Sequence, residues 1–90
     1  MIAVVGLWHL GCVTAACCAR HFPTIGLDSD FERISHLQKG KAPLFEPGLD
    51  ELISKGIDSG NLHFTNDLES AVNNVDFVFL MFDTPVNSND

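Results

Sequence analysis

Short apolar runs alternate along this chain with longer segments in which apolar residues recur at every third or fourth position. The short runs predict strands over residues 2–5, 24–27, 62–64 and 77–82. The first and the last run are apolar at every position, which is typical of strands buried on both faces of a parallel sheet.

The segments between the strands predict helices. We expect them over residues 11–22 and about 30–39, from residue 49 onward, and over about 66–75. Ser29 or Asp30 is the expected cap of the second helix, and Gly40 its end. Gly56 and Gly60 are expected to break the third helix.

Strands that alternate with helices indicate an α/β fold, a Rossmann-type parallel sheet with flanking helices and right-handed crossovers. The expected strand order is 3-2-1-4. A complete two-half dinucleotide fold has six strands, and only four are predicted here. Residues 1–90 are therefore expected to form the N-terminal part of a dinucleotide-binding domain.

The charge balance narrows the classes of partner. The formal net charge of −7 argues against a nucleic-acid binder, which needs clustered Lys and Arg. It is compatible with a nucleotide cofactor held by backbone N–H groups. No apolar run is long enough to span a bilayer, so no membrane association is expected. An odd number of cysteines favours a reduced, cytoplasmic setting.

The first strand–helix turn carries most of the candidate chemistry. Its sequence, GLWHLG at residues 6–11, matches the dinucleotide fingerprint at Gly6 and Gly11. Trp8 stands at the second glycine position, where backbone normally approaches the pyrophosphate closely. Asp28 ends the second strand, where a carboxylate accepts hydrogen bonds from ribose hydroxyls and favours NAD over NADP. His9 is expected to be an exposed loop histidine.

Five stretches together resemble the N-terminal domain of the UDP-glucose/GDP-mannose dehydrogenase family. They are VVGLWHLG at 4–11, GLDSD at 26–30, GKAPLFEPGL at 40–49, LHFTND at 62–67 and DTP at 83–85. The tetrapeptide EPGL at 46–49 is the most specific, because it has no role in a general dinucleotide motif. Two positions depart from the family pattern: Trp8 replaces a glycine, and Asp83 precedes Thr-Pro.

The resemblance implies NAD-dependent oxidation of the C6 alcohol of a nucleotide sugar, of the UDP-glucose or GDP-mannose type, to a carboxylate in two hydride transfers. Such products feed polysaccharide synthesis. The implied cofactor-binding residues, with Trp8 among them in the turn, are Gly6, Trp8, Leu10, Gly11, Asp28, Arg33, Thr84 and Pro85. The family's catalytic cysteine and its helpers lie in later segments, so no catalytic residue is expected here. The histidines and cysteines show no metal-ligand spacing.

Two alternatives stay open at this point. One is a diverged, non-catalytic Rossmann module for assembly or regulation, in which Trp8 blocks the pyrophosphate site. The other is a different NAD-dependent dehydrogenase, of the hydroxyacid or 6-phosphogluconate type, against which the EPGL stretch argues. Glu46 is expected to be structural and Cys12 to pack helix against sheet. Large side chains on the last strand predict self-association, and a homo-oligomer is expected.

Overall fold

The computed structural model of the protein describes residues 1–44 and 46–81. Its strands are β1 Ile2–Val5, β2 Thr24–Leu27, β3 Leu62–Thr65 and β4 Phe77–Leu80. They form a parallel sheet in the order β3-β2-β1-β4, which confirms the predicted fold class and strand order. Because β1 pairs with β2 on one side and β4 on the other, the direction of strand addition reverses beside β1. In open α/β sheets ligands bind at this point, outside the carboxyl ends of the strands.

Helices connect the strands in the predicted order. They are α1 His9–Cys18, α2 Phe31–Gln38, α3 Leu49–Ser59 and α4 Leu68–Ala71, which continues into a 3₁₀ turn at Val72–Asn74. Asp30 caps α2 by accepting a hydrogen bond from the Arg33 backbone N–H at 3.1 Å. Gly60 ends α3 in the left-handed conformation.

The predicted bounds of α1 are wrong at both ends. The helix begins at His9, two residues before the predicted start, since the Cys12 N–H already bonds to the Trp8 carbonyl. It ends at Cys18, well before the predicted residue 22. Beyond it, Arg20 and His21 donate to carbonyls only three residues back, so the chain tightens into turns.

Gly56 does not break α3 as predicted. It is buried inside the helix, and a Cβ built on it would lie 2.9 Å from the Leu62 Cβ. Its lack of a side chain lets α3 pack directly on β3. The predicted last strand, over residues 77–82, ends at Leu80, and Phe82 lies outside the described residues.

The core fills one face of the sheet. Gly26 leaves space there for the Phe64 ring and the Leu7 side chain, either of which a Cβ would meet within 3.1 Å. The buried cluster consists of Val4, Leu7, Cys12, Ala15, Ala16, Ala19, Ile34, Leu37, Leu49, Ile53, Leu62 and Phe64. Small residues on α1 bring that helix close to the sheet, which fixes where its N-terminus points. Among residues 1–44 and 46–81, no helix is long and apolar enough to cross a membrane.

Candidate dinucleotide site

The two matched glycines of the fingerprint have separate steric reasons. Gly6 has φ of 96°, in the region that favours glycine, and its N–H donates to the Leu27 carbonyl at 2.8 Å. Gly11 is helical but lies against the turn, and a Cβ built on it would be 1.7 Å from the Gly6 carbonyl oxygen. The start of α1 therefore packs directly against the end of β1.

The N-terminus of α1 has no capping side chain. Trp8 is the N-cap residue and its indole makes no capping hydrogen bond, and the first turn contains no acidic residue. By contrast, α2 is capped by Asp30 and carries Glu32 in its first turn. The first N–H groups of a helix have no intrahelical acceptor, and the helix dipole adds positive potential there. The start of α1 is therefore chemically suited to the pyrophosphate of a dinucleotide.

Trp8 does not need to be glycine for backbone reasons. Its φ of −78° is one that any residue adopts. The glycine of the fingerprint therefore matters at this position for ligand approach, not for the shape of the turn. Leu10, in the first turn of the helix, has an exposed side chain, so its implied role falls to its backbone N–H.

Asp28 is tied into the turn by three donors. Its Oδ2 accepts from the Leu7 N–H at 2.8 Å and from Arg33 Nη1 at 3.0 Å, and its Oδ1 accepts from the Asp30 N–H at 2.9 Å. Burial by itself raises the pKa of the Asp28 carboxyl, but the backbone N–H groups of Asp30 and Leu7, together with Arg33, outweigh it and lower that pKa. The group is a carboxylate at neutral pH, as a ribose acceptor must be.

Arg33 connects Asp28 with Trp8. The centre of its guanidinium lies 4.8 Å from the centroid of the Trp8 ring, in cation–π geometry. The structure thus brings together Trp8, Asp28 and Arg33, three of the predicted site residues, beside the glycine turn. The predicted site residues Thr84 and Pro85, and the departure from the family pattern at Asp83, lie outside the described residues.

The His9 prediction is wrong. His9 is half-buried in the first turn of α1, and its Nε2 lies 3.2 Å from Oε2 of Glu46. Its Nδ1 is buried and has no hydrogen-bond partner within the described part of the chain. Glu46 belongs to the EPGL stretch, so this contact joins the stretch to the dinucleotide turn. No pattern in the sequence signals the contact, because the two residues belong to different elements.

Cys12 is fully buried, and its Sγ donates to the Leu7 carbonyl at 3.2 Å, as expected of a packing residue. In the described ranges, no group of three or more His, Cys, Asp or Glu side chains is placed to hold a metal ion.

Comparison with known proteins assigns the family. Residues 1–90 match the NAD binding domain of the UDP-glucose/GDP-mannose dehydrogenase family. The chain belongs to this family. The predicted resemblance and the NAD cofactor are confirmed, since the matching unit is the family's NAD binding domain. Membership of this family argues against the hydroxyacid and 6-phosphogluconate dehydrogenase alternatives. Its relatives are dehydrogenases, which does not favour a non-catalytic module.

Curated relatives of this NAD binding domain include a UDP-glucose 6-dehydrogenase of Rhizobium meliloti, 40% identical over 99% of this chain and 21% of the relative. A GDP-mannose 6-dehydrogenase of Pseudomonas savastanoi pv. phaseolicola is 37% identical over 98% of this chain and 20% of the relative. The chain therefore spans about a fifth of the length of the curated relatives it matches.

Among solved structures, the domain is similar to a GDP-mannose dehydrogenase from Pseudomonas aeruginosa, determined as a ternary complex. The TM-score is 0.90 at 36% identity, over 98% of this chain and 20% of that one. A UDP-glucose dehydrogenase from the archaeon Pyrobaculum islandicum gives a TM-score of 0.83 at 31% identity, over 88% of this chain and 18% of that one. The likeness thus extends to both sugar-nucleotide types.

Proposed function

We propose that this chain supplies the NAD site of an NAD-dependent nucleotide-sugar 6-dehydrogenase, which oxidises the C6 alcohol of a substrate of the UDP-glucose or GDP-mannose type to a carboxylate. The observation that carries the proposal is the position of Asp28. Its carboxylate is fixed by the Leu7 N–H beside an uncapped helix N-terminus, at the point where the strand order reverses. The relatives named as 6-dehydrogenases match nearly the whole chain.

Each proposed site residue has a physical role in holding the cofactor. Gly6 and Gly11 shape the turn, and the N–H groups at Trp8 and Leu10 face the pyrophosphate. Asp28 accepts hydrogen bonds from the adenosine ribose, with Arg33 beside it. Thr84 and Pro85 are proposed to contact the cofactor from the segment after β4. Bound NAD supplies the hydride acceptor.

The chemistry of alcohol-to-acid oxidation places the catalytic groups outside these residues. The second oxidation proceeds through a thiol that forms a thiohemiacetal and then a thioester. Cys12 is buried and bonded to the Leu7 carbonyl, so it is not suited to that task. We accordingly take residues 1–90 as the N-terminal part of the dinucleotide-binding domain of a longer enzyme. We further propose a cytoplasmic homo-oligomer that makes precursors for polysaccharide synthesis.

The proposal is tested by following NADH formation when the full-length protein that contains residues 1–90 is given NAD with UDP-glucose or with GDP-mannose. We expect turnover with one of them, at two NADH per sugar. The Asp28→Ala variant should raise the KM for NAD while the KM for the sugar changes little. Asp58→Ala is the matched control, because this exposed acid lies in the last turn of α3, just before β3 begins, whereas Asp28 follows the carboxyl end of β2.

Two results would contradict the proposal. NAD binding without turnover of any sugar nucleotide would support the non-catalytic module instead. An equal rise in the KM for NAD in both the Asp28 and Asp58 variants would remove the special role of Asp28.

A further inference from the structure

The Trp8 side chain has a specific partner, although it stands where the fingerprint has no side chain. Trp8 is 37% exposed, and one face of its ring lies against the Arg33 guanidinium. An aromatic face attracts a guanidinium through its quadrupole, and the pair also shields apolar surface from water. The indole at the start of α1 thus contacts a side chain of α2.

Arg33 is held on three sides. Its Nη1 lies 3.0 Å from Oδ2 of Asp28, and its Nη2 lies 3.7 Å from Oδ2 of Asp30. The Trp8 ring covers the guanidinium at 4.8 Å. The Asp28 side chain is only 10% exposed under this arrangement. The guanidinium therefore lies between the indole and the carboxylate that the ribose has to reach, in contact with both.

The hydrogen bonds that Asp28 already accepts leave too few acceptor positions for a ribose. A carboxylate offers about four lone-pair positions. Three of those on Asp28 are used, by the N–H groups of Leu7 and Asp30 and by Arg33. The 2′- and 3′-hydroxyls of a ribose together need two positions, one on each oxygen. Full engagement of the ribose thus requires Arg33 to give up its bond to Oδ2.

A cavity with two acidic walls lies beside Arg33. Arg33 lines a shallow cavity of about 210 Å³ whose other walls are Asp30, Glu32, His36 and Pro43. The carboxylates of Asp30 and Glu32 make this cavity suitable for a displaced cation. Arg33 can therefore move away from Asp28 without losing all of its charge partners.

We propose that Trp8 and Arg33 form a gate over Asp28, closed in the free protein by their stacking and opened when the adenosine ribose of NAD binds. This inference rests on the NAD site proposed above. A ligand that binds only the open form has its affinity reduced by the fraction of protein that is closed. Trp8 is then a residue that tunes NAD affinity by holding Arg33 in place.

The gate is tested by calorimetric titration of NAD into the wild type and the Trp8→Leu and Trp8→Phe variants. Leucine keeps apolar bulk but has no ring to hold the guanidinium. We expect Trp8→Leu to bind NAD about two- to fivefold more tightly, which corresponds to an exposed cation–π contact. Trp8→Phe retains a ring and should stay near the wild type. Equal or weaker binding by a folded Trp8→Leu variant would overturn the gate.

A second measurement needs no variant. Trp8 is the only tryptophan among the 90 residues, so tryptophan emission of this chain reports on the gate itself. NAD should change the emission spectrum as the indole separates from Arg33. Calorimetric binding of NAD with an unchanged spectrum would overturn the gate but leave the NAD site intact. A complete lack of NAD binding in the wild type and in both variants would overturn the proposed site together with the gate.

Discussion

The backbone N–H of Leu7 donates to Oδ2 of Asp28 across 2.8 Å. This bond joins the turn after β1 to the end of β2, so the two chain segments that hold a dinucleotide keep a fixed spacing. Asp28 thus has a structural role in addition to its proposed role toward ribose. Both roles require the charged form of the carboxylate, because in that form both of its oxygens accept hydrogen bonds.

The lowered pKa of Asp28 makes stability depend on acid pH. The pKa of this carboxyl in the folded chain lies below its ordinary value near 4, which holds in the unfolded chain. Its contribution is therefore complete above about pH 4 and is lost as the pH falls through the folded pKa. We expect chemical denaturation at a series of pH values to show a free energy of unfolding that decreases over this range.

Two substitutions test whether Asp28 causes this decrease in the free energy of unfolding at acid pH. Asp28→Asn should make the acid decrease shallower, and Arg33→Met should have a smaller effect of the same sign, because it removes one of three donors. Asp76, whose pKa is lowered by its hydrogen bond with the Met1 amine, contributes in the same direction and remains in both variants. An acid decrease of unchanged slope in Asp28→Asn would contradict the assignment.

Gly11 is predicted to be intolerant of any side chain. Alanine normally stabilises a helix relative to glycine, by about 0.5–1 kcal/mol. Here its Cβ would lie 1.7 Å from the Gly6 carbonyl oxygen, so backbone must move. We expect Gly11→Ala to lower the free energy of unfolding by at least about 3 kcal/mol, at the upper end of overpacking costs.

Gly60→Ala provides the comparison for Gly11→Ala. It makes the same chemical change in open space, at φ of 83°, and should cost only the left-handed strain of about 1–2 kcal/mol. If Gly11→Ala were no more damaging than Gly60→Ala in denaturant titrations, the close approach of α1 to the turn would be wrong.

Gly26 and Phe64 are predicted to be energetically coupled. A Cβ on Gly26 would lie 2.7 Å from Cδ1 of the Phe64 ring, so Gly26→Ala should cost about 1–3 kcal/mol. Phe64→Leu removes the ring edge that the new methyl group meets. In a double-mutant cycle, the double variant should be more stable than the sum of the two single costs predicts, by at least about 0.5 kcal/mol. Strict additivity would refute the contact.

Strand β4 is predicted to drive association of the 90-residue chain when it is studied by itself. It lies at the edge of the described sheet, and its side chains Phe77, Val78, Phe79 and Leu80 are all exposed. Unpaired, apolar edge strands pair with one another, and lysine on the edge prevents this. Sedimentation velocity at rising concentration should therefore show association that Phe77→Lys suppresses.

Phe31→Lys is the matched control for this experiment. Phe31 on α2 is 70% exposed, against 67% for Phe77, but it is not on the sheet edge. The Phe31→Lys variant should associate like the wild type. A strictly monomeric wild-type chain, or equal suppression by both lysines, would argue against β4 as the interface.

Much of this fold could be predicted from the chain alone. The strands were predictable because their apolar runs are short and end at glycine or acidic residues, as at Gly6 and Asp28. The end positions of α1 were not, because its small residues are apolar all round and mark neither a face nor an end. The prediction that Gly56 breaks α3 was wrong, because a glycine inside this helix allows close packing on Leu62.

The candidate site likewise has features that the sequence predicts and features that only the structure shows. Gly6, Gly11 and Asp28 follow from the spacing of a known turn. The contacts from Trp8 to Arg33 and from His9 to Glu46 depend on how α2 and the EPGL stretch pack against α1, which only the folded chain reveals. Side chains that meet across separate elements leave no periodic signal in a single sequence.

The most direct test of the NAD site is an amide NMR titration of the ¹⁵N-labelled protein with NAD. We expect the largest chemical-shift changes on the backbone amides of Trp8, Leu10 and Gly11, at the start of α1, and on that of Leu7, which donates a hydrogen bond to Asp28. The amide of Asp58, in the last turn of α3 before β3 begins, should not shift. Saturable shifts that leave the start of α1 unchanged would contradict an NAD site at this turn.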